Sequence, residues 1–268
     1  MRKSAYGKEI IFMWEGFNNY DEIAVKPAAS TLQITKEQQK KVYTAWKAAV
    51  AANPEFFDGY LWRVESVYGK MAHPVLNVSP IRYSQHNVLR HIQNQPMSFY
   101  PNPLTVNTIQ ETADGYIVIG VRGKGSDQAG LTLMGAGFVE RRKTEGSLSK
   151  EPQQIWQVVQ KECLEETHYR KSPAFDIGEA KILAIIFGSN HDTTVCFHLP
   201  LNANHEDITL GNDEHKDLIF LPNNPEEIMH ILETGKYKGI PAADHLLGCL
   251  ESYLLRKSAG QIKSKYQH

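Results

Sequence analysis

The stretch "VVQKECLEETHY" (Val158–Tyr169) puts three glutamates, Glu162, Glu165 and Glu166, within about one helical turn. Like charges four residues apart on a helix destabilise it by roughly 0.2–0.5 kcal/mol per pair. Either that face is solvated and the cost is tolerated, or a cation sits against it. The apolar positions Ile155, Val158, Val159 and Cys163 form a stripe at helical spacing. Glu162 and Glu166 fall beside this stripe, which predicts partial burial. A buried carboxylate must be paired, metal-bound or protonated. An oxygen-rich cluster suits Mg2+ or Mn2+.

Upstream lies "MGAGFVERR", with Gly135, Gly137 and Glu140 just before a polar loop, "RRKTEGSLSKE". Further upstream, two strand patterns flank Ala113-Asp114-Gly115, and Asp-Gly is a strong hairpin signal. Pro152 suits the start of the glutamate helix. After it come strands "AKILAIIFG", "TTVCFHLPL" and "LIFLP", a short helix near Pro225–Glu233, and a final helix "PAADHLLGCLESYLLRK". Before residue 100, the helix "TKEQQKKVYTAWKAAVAANP" has a Thr35 cap with Gln38 behind it and stops at Asn53-Pro54. Its stripe of Val42, Trp46, Ala49 and Val50 predicts core packing. Strands "FFDGYLWRVESVYG" and "VLNVSPIRYS" follow, then a short helix and a Pro-rich connection. Hairpins mixed with helices predict an α+β fold around a mixed sheet, not a doubly wound parallel one. The predicted division is residues 1–100, residues 101–257 and a flexible tail, 258–268.

The turn Gly135-Ala136-Gly137-Phe138-Val139-Glu140 and the helix Lys161-Glu162-Cys163-Leu164-Glu165-Glu166-Thr167-His168 resemble the box of the Nudix hydrolase superfamily. That box is a Gly-Gly turn with a nearby Glu, then a helix carrying Arg-Glu-x-x-Glu-Glu and ending at Gly. The resemblance covers about residues 101–257 and implies an α/β/α sandwich. It further implies Mg2+ or Mn2+ held by Glu162, Glu165 and Glu166 with Gly137, and catalytic roles for Glu162 and Glu166. Glu214, in the loop "GNDEHKD", becomes the candidate for an extra ligand or base. Arg122, Arg141 and Arg142 become candidate phosphate contacts. The chain departs from the box at Lys161, where Arg is expected and which cannot form the same bidentate clamp, and at His168, where Gly is expected. The loop after Glu140 is also longer than the family's. His168, Arg170 and the later Pro173 predict one extra helical turn.

The segments "AWKAAVAANPEFFDGYLWRVESV" and "IRYS" resemble the extension that precedes the Nudix fold in a UDP-sugar-cleaving branch. That resemblance implies a nucleotide sugar such as UDP-glucose as substrate, cleaved to UMP and sugar 1-phosphate. Trp62, Tyr68 and Tyr83 are candidates to stack on a base. ADP-ribose and coenzyme A are alternative substrates. The rival of another class is a Nudix-fold module that binds a nucleotide or protein partner without hydrolysis, with Lys161 and His168 in its favour.

Other classes are disfavoured. The chain of 268 residues has a net charge of -1, so nothing draws it generally to nucleic acid or anionic membrane. Its three cysteines, Cys163, Cys196 and Cys249, lie far apart in apolar runs, with no disulfide framework or zinc spacing. Cys163 reads as a core position. The N-terminal apolar patch is too short for a signal peptide or a membrane span. A cytoplasmic protein in a reducing compartment is expected, acting on a small-molecule nucleotide. "GAGFVE" lacks the third Gly and the prompt helix of a dinucleotide-binding turn. Two Glu-x-x-His pairs, Glu165–His168 and Glu227–His230, are separated by strands, which argues against a di-iron bundle. No nucleophile-elbow motif supports Ser/His/Asp catalysis.

Overall fold

The computed structural model describes residues 2–3, 11–15, 23–29, 32–54, 56–70, 73–92, 99–123, 129–144, 147–170, 175–176, 179–188 and 191–265. The predicted Pro-rich connection near residue 100 falls partly outside them. Two short strands, β1 (Arg2–Lys3) and β2 (Ile11–Glu15), precede β3 (Ala24–Pro27). Helix α1 (Lys36–Ala52) begins at the predicted cap. The Gln38 amide donates to the Thr35 hydroxyl at 3.1 Å, and the Thr35 amide donates to Gln38 Oε1 at 2.8 Å. This reciprocal box satisfies two amides that the helix itself leaves unpaired. Of the predicted stripe only Val42 is buried; Trp46, Ala49 and Val50 are half-buried. Strands β4 (Tyr60–Lys70) and β5 (His73–Arg82) pair antiparallel, and β3 adds parallel to β5. Helix α2 (Tyr83–Leu89) follows.

Strands β6 (Leu104–Glu111) and β7 (Tyr116–Arg122) flank the Asp114-Gly115 turn. There Gly115 takes φ 86°, a left-handed conformation that glycine adopts at little cost. Next come β8 (Gly130–Leu133), β9 (Gly137–Phe138) and a small hairpin of β10 (Lys143–Thr144) and β11 (Ser147–Leu148). Helix α3 (Ile155–Glu166) carries the glutamates and leads into β12 (Thr167–Tyr169), β13 (Lys181–Phe187), β14 (Thr193–Pro200) and β15 (Ile208–Leu210). Strand β16 (His215–Pro222), helix α4 (Pro225–Thr234), strands β17 (Lys236–Tyr237) and β18 (Ile240–Pro241), and helix α5 (Asp244–Lys265) complete the chain.

The main sheet has nine strands in the order β1-β2-β13-β14-β6-β7-β16, with β8 on β7 and β9 on β6. Strands β14 and β6 run parallel beside antiparallel neighbours, so the sheet is mixed. Strand β13 shows why both faces are covered. Ile182 and Ile185 join the core under α3, whereas Leu183, Ala184 and Ile186 join the core under α4 and α5. A bulge between Ile182 and Ala184 breaks the strict alternation. A strand buried on both faces reads as a continuous apolar run. The result is the expected α+β fold with helices on both faces of a mixed sheet. The first part supplies β1 and β2 to this sheet, and β4 ties it to the rest: the Trp62 amide donates to Val139 O at 3.1 Å and the Arg141 amide to Tyr60 O at 2.8 Å. The extension therefore braces the chain as it leaves the Gly135–Gly137 turn.

Two expectations need correction. Helix α3 ends at Glu166 and gains no extra turn, because Thr167 is already extended (φ -128°, ψ 131°) and Thr167–Tyr169 pairs antiparallel with β15. Pairing with a strand 40 positions downstream overrides the local C-terminal signals; Pro173 itself lies outside the described residues. Second, Cys196 and Cys249 form a disulfide, with Cα atoms 6.0 Å apart across 53 residues of sequence. Helix α5 packs back over β14 and brings together two positions that sequence spacing does not connect. Cysteine usage therefore no longer argues for a reducing compartment. Cys163 is buried, as expected. Among the described residues no helix is long and apolar enough to cross a membrane. Helix α5 continues through 258–265, where a flexible tail is expected; 266–268 lie outside the described residues.

At the end of the sheet away from α3's glutamates, Glu111 gathers His198 Nε2 and the Tyr253 hydroxyl on one oxygen, both at 2.7 Å, and Asn223 Nδ2 on the other. Burial alone would raise this carboxyl. The bonds from His198 and Tyr253 and the charges of His198 and Lys257 outweigh burial and hold it at about 2. A depressed carboxylate stabilises the fold above its unfolded pKa and loses that contribution as pH falls through the folded value. Glu111→Gln is expected to cost on the order of 1–2 kcal/mol at pH 7. The gap between wild type and variant should close as pH drops toward 2. Urea titrations at pH 7 and pH 3 measure it; a gap independent of pH would show that the network does not stabilise the protein.

Candidate active site

Helix α3 lays Ile155, Val158, Val159 and Cys163 against the sheet, and Glu166 falls on the same stripe. Glu166 is 1% exposed, which is exceptional for a carboxylate. Its Oε2 accepts the Gly135 amide at 2.5 Å and faces the Ala136 amide at 3.4 Å. Its Oε1 is buried without a hydrogen-bond partner and lies 3.8 Å from the Arg122 guanidinium. Burial raises the Glu166 carboxyl to about 8; Arg122 and the Gly135 amide pull it down, while Glu214 and Glu162 push it further up. Glu162 is half-buried and also raised, first by burial, with Lys161 opposing and Glu165 and Glu214 adding repulsion.

The turn is shaped for this helix. Gly135 takes φ 68° and packs so closely on Cys163 and Thr108 that a Cβ would lie 2.5 Å from each. A Cβ on Gly137 would lie 2.6–2.7 Å from both Glu162 carboxylate oxygens. Gly137 therefore admits the Glu162 carboxylate against the backbone, and Gly135 admits Cys163 of α3. Lys161 sits 3.1 Å from Glu162 and 3.2 Å from Glu165, relieving the repulsion that the bare sequence presents. Glu165 is turned outward and exposed.

Arg122, at the end of β7, reaches this cluster and also lies 3.0 Å from Glu214 on the turn before β16. Arg141 and Arg142 are placed elsewhere. Arg141 donates to Ser149 O at 2.6 Å and lies over the Trp62 ring, and Arg142 is exposed on the loop. Trp62 is core, Tyr68 is exposed on β4, and Tyr83 stacks edge-on with Phe138 beside Gly137. Sequence reasoning assigned no role to His215. It is buried, with Nε2 3.1 Å from Thr132 Oγ1 and 3.4 Å from Arg122 Nε. Burial, then Arg122, lowers it to about 4, so it is neutral at physiological pH. A signal was present: Gly120 interrupts the apolar strand "YIVIGVR", and a Cβ there would collide with the His215 ring.

Among the described residues, no three His, Cys, Asp or Glu side chains converge into a ready-made metal cluster. The donor set nonetheless fits Mg2+ or Mn2+. Mg2+ keeps several waters and needs only one or two carboxylates. Glu162 and Glu166 supply hard oxygens, Glu166 Oε1 lacks a hydrogen-bond partner, and the mutual repulsion of Glu162, Glu166 and Glu214 is what a cation would reverse.

Comparison with family models and with characterised protein sequences finds no match. Among solved structures, the chain is similar to a bifunctional NMN adenylyltransferase/ADP-ribose pyrophosphatase from Francisella tularensis (15% identity, 60% of this chain and 41% of that one, TM-score 0.38). It is also similar to the MutT protein from Methanosarcina mazei Go1 (16% identity, 58% and 94%, TM-score 0.36). A third similarity is to the Nudix domain of Shewanella oneidensis NrtR, solved with ADP ribose (14% identity, 62% and 94%, TM-score 0.32). The chain spans less than half the length of the Francisella enzyme. These likenesses are too weak to carry a functional argument.

Proposed function

We propose that this protein is a divalent-metal-dependent Nudix hydrolase that cleaves the diphosphate of a nucleoside diphosphate-linked compound. The supporting observation is Glu166: an almost fully buried carboxylate with one oxygen lacking a hydrogen-bond partner, held by the amide of a glycine turn beside a second carboxylate and an arginine. Burying a carboxylate with one oxygen lacking a hydrogen bond costs free energy that a bound cation would offset. Glu162 and Glu166, with Gly137, would hold Mg2+ or Mn2+, and Glu165 could join them by turning from Lys161. The ion would neutralise phosphate charge and lower the pKa of a bound water. Arg122 contributes positive charge to the diphosphate. Glu214, exposed on its turn beside Arg122, would accept a proton from water. Overall, a water oxygen bonds to one phosphorus and the bridging P–O bond breaks. Its electrons leave on the other phosphate, and the water's protons pass to base and solvent.

A nucleotide sugar such as UDP-glucose, giving UMP and glucose 1-phosphate, is the first compound to test, on the strength of the extension that resembles the UDP-sugar-cleaving branch. ADP-ribose, coenzyme A and dinucleoside polyphosphates complete the panel. Each is incubated with the protein and Mg2+, and phosphomonoester products are followed by 31P NMR. Turnover of one or more supports the proposal; turnover of none overturns it in favour of a binding module, the reading that the Lys161–Glu162–Glu165 ion pairs favour. Gly137→Ala should lower turnover at least about tenfold by displacing Glu162, while thermal stability changes by less than about 1 kcal/mol because the flexible carboxylate gives way. A Gly137→Ala enzyme with unchanged kcat/KM would remove Glu162's placement from the mechanism.

A further inference from the structure

A cleft of about 490 Å3 lies beside Arg122, lined by Val121, Arg122, Gly130, Lys216, Ile240 and Pro241. Its wall exists because β18 closes over the start of β8. The Ala243 amide donates to Leu131 O at 2.9 Å, and Ala242 bridges Leu131 in parallel. Gly130 permits the contact: it has φ 118°, and a Cβ there would strike the Pro241 carbonyl. The bulge in β16 between His215 and Asp217 places Lys216 and Asp217 beside the same opening.

We propose that this cleft holds the nucleobase of the substrate, so that the nucleotide spans Arg122 with its base in the cleft and its diphosphate at Glu162 and Glu166. The proposal rests on the diphosphate reading of the glutamate site. Arg122 belongs to both places: it lines the cleft, and its guanidinium lies 3.0 Å from Glu214 and 3.8 Å from Glu166. The volume falls in the range of small-molecule sites, roughly 300–1,000 Å3. Val121, Ile240, Pro241 and Gly130 offer apolar walls suited to the face of a planar ring. One oxygen of Asp217 accepts the Leu218 amide at 2.9 Å, which orients the carboxylate as an acceptor for base N–H groups or ribose hydroxyls. Lys216 adds a cation to the lining that can meet a nucleotide phosphate.

The test uses the full chain with UMP and AMP as probes, titrated by calorimetry with Mg2+, in wild type, Ile240→Trp and Lys216→Glu. Ile240→Trp fills the cleft, and Lys216→Glu reverses a charge at an exposed position that should not affect folding. Either variant should weaken binding of the preferred nucleotide about tenfold or more. For whichever panel compound is hydrolysed, KM should rise by a similar factor with a smaller change in kcat. Unaltered nucleotide affinity in both variants would overturn the base site, as would a wild type that binds neither nucleotide. A wild type that binds nucleotide, loses it in the variants and hydrolyses nothing would uphold the cleft and overturn the hydrolase.

Discussion

Glu166→Gln should abolish turnover, by at least about 10³-fold, and yet leave the metal-free protein as stable as wild type or more so. Both effects follow from the same burial. Glu166 is 1% exposed, one oxygen holds the Gly135 amide, and the other lacks a hydrogen-bond partner. Its carboxyl is raised to about 8. A folded pKa above the unfolded one contributes stability that is complete below the ordinary carboxylate range and is lost as pH rises through about 8. Glutamine keeps an oxygen for the Gly135 amide and carries no charge to bury. Without metal, the variant should match wild type near pH 4 and exceed it by on the order of 1–3 kcal/mol near pH 9. Mg2+ should then raise the Tm of wild type and not that of the variant. Thermal melts across pH, with and without Mg2+, test the stability claims. Turnover in the variant near the wild-type rate would exclude Glu166 from the chemistry.

Gly135→Ala is expected to damage fold and site together, by about 2–4 kcal/mol of stability. The left-handed φ of 68° accounts for about 1 kcal/mol. Overpacking accounts for the rest, because the new methyl would lie 2.5 Å from Cys163 Sγ and from Thr108 Oγ1. Neither neighbour can withdraw easily. Thr108 is fully buried and donates to Met134 O at 2.5 Å, and Cys163 is fully buried on the inner face of α3. The turn must then shift, carrying the Gly135 amide off Glu166, and turnover falls with stability. Cys163→Ala should restore part of the loss by making room, leaving the backbone cost. A double-mutant cycle in urea should show coupling on the order of 1 kcal/mol. Gly135→Ala within about 0.5 kcal/mol of wild type would mean that the turn is not packed on the helix as described.

Much of the frame was legible because it rests on short-range physics. Thr35 and Gln38 cap α1 through neighbours in sequence. Asp114-Gly115 makes a hairpin because Gly115 must take positive φ. The run "ILAIIF" reads as a buried strand because both its faces are apolar. The misreadings came where distant segments meet. His168 and Arg170 suit a longer helix locally, but pairing with β15 draws Thr167–Tyr169 into a strand. Cys196 and Cys249 become partners when α5 folds over β14.

The candidate site divides the same way. Residue types and helical spacing alone named Glu162 and Glu166 beside an apolar stripe; the family resemblance joined them to the glycine turn. The resemblance added Glu165 to the metal set, but Glu165 is exposed and points outward to Lys161. Spacing could not choose among Arg122, Arg141 and Arg142, or identify the buried His215 beside Arg122. Helical periodicity determines which side chains share a face. Which face is desolvated, and which cation from another strand reaches it, depends on how the sheet stacks elements that lie far apart along the chain.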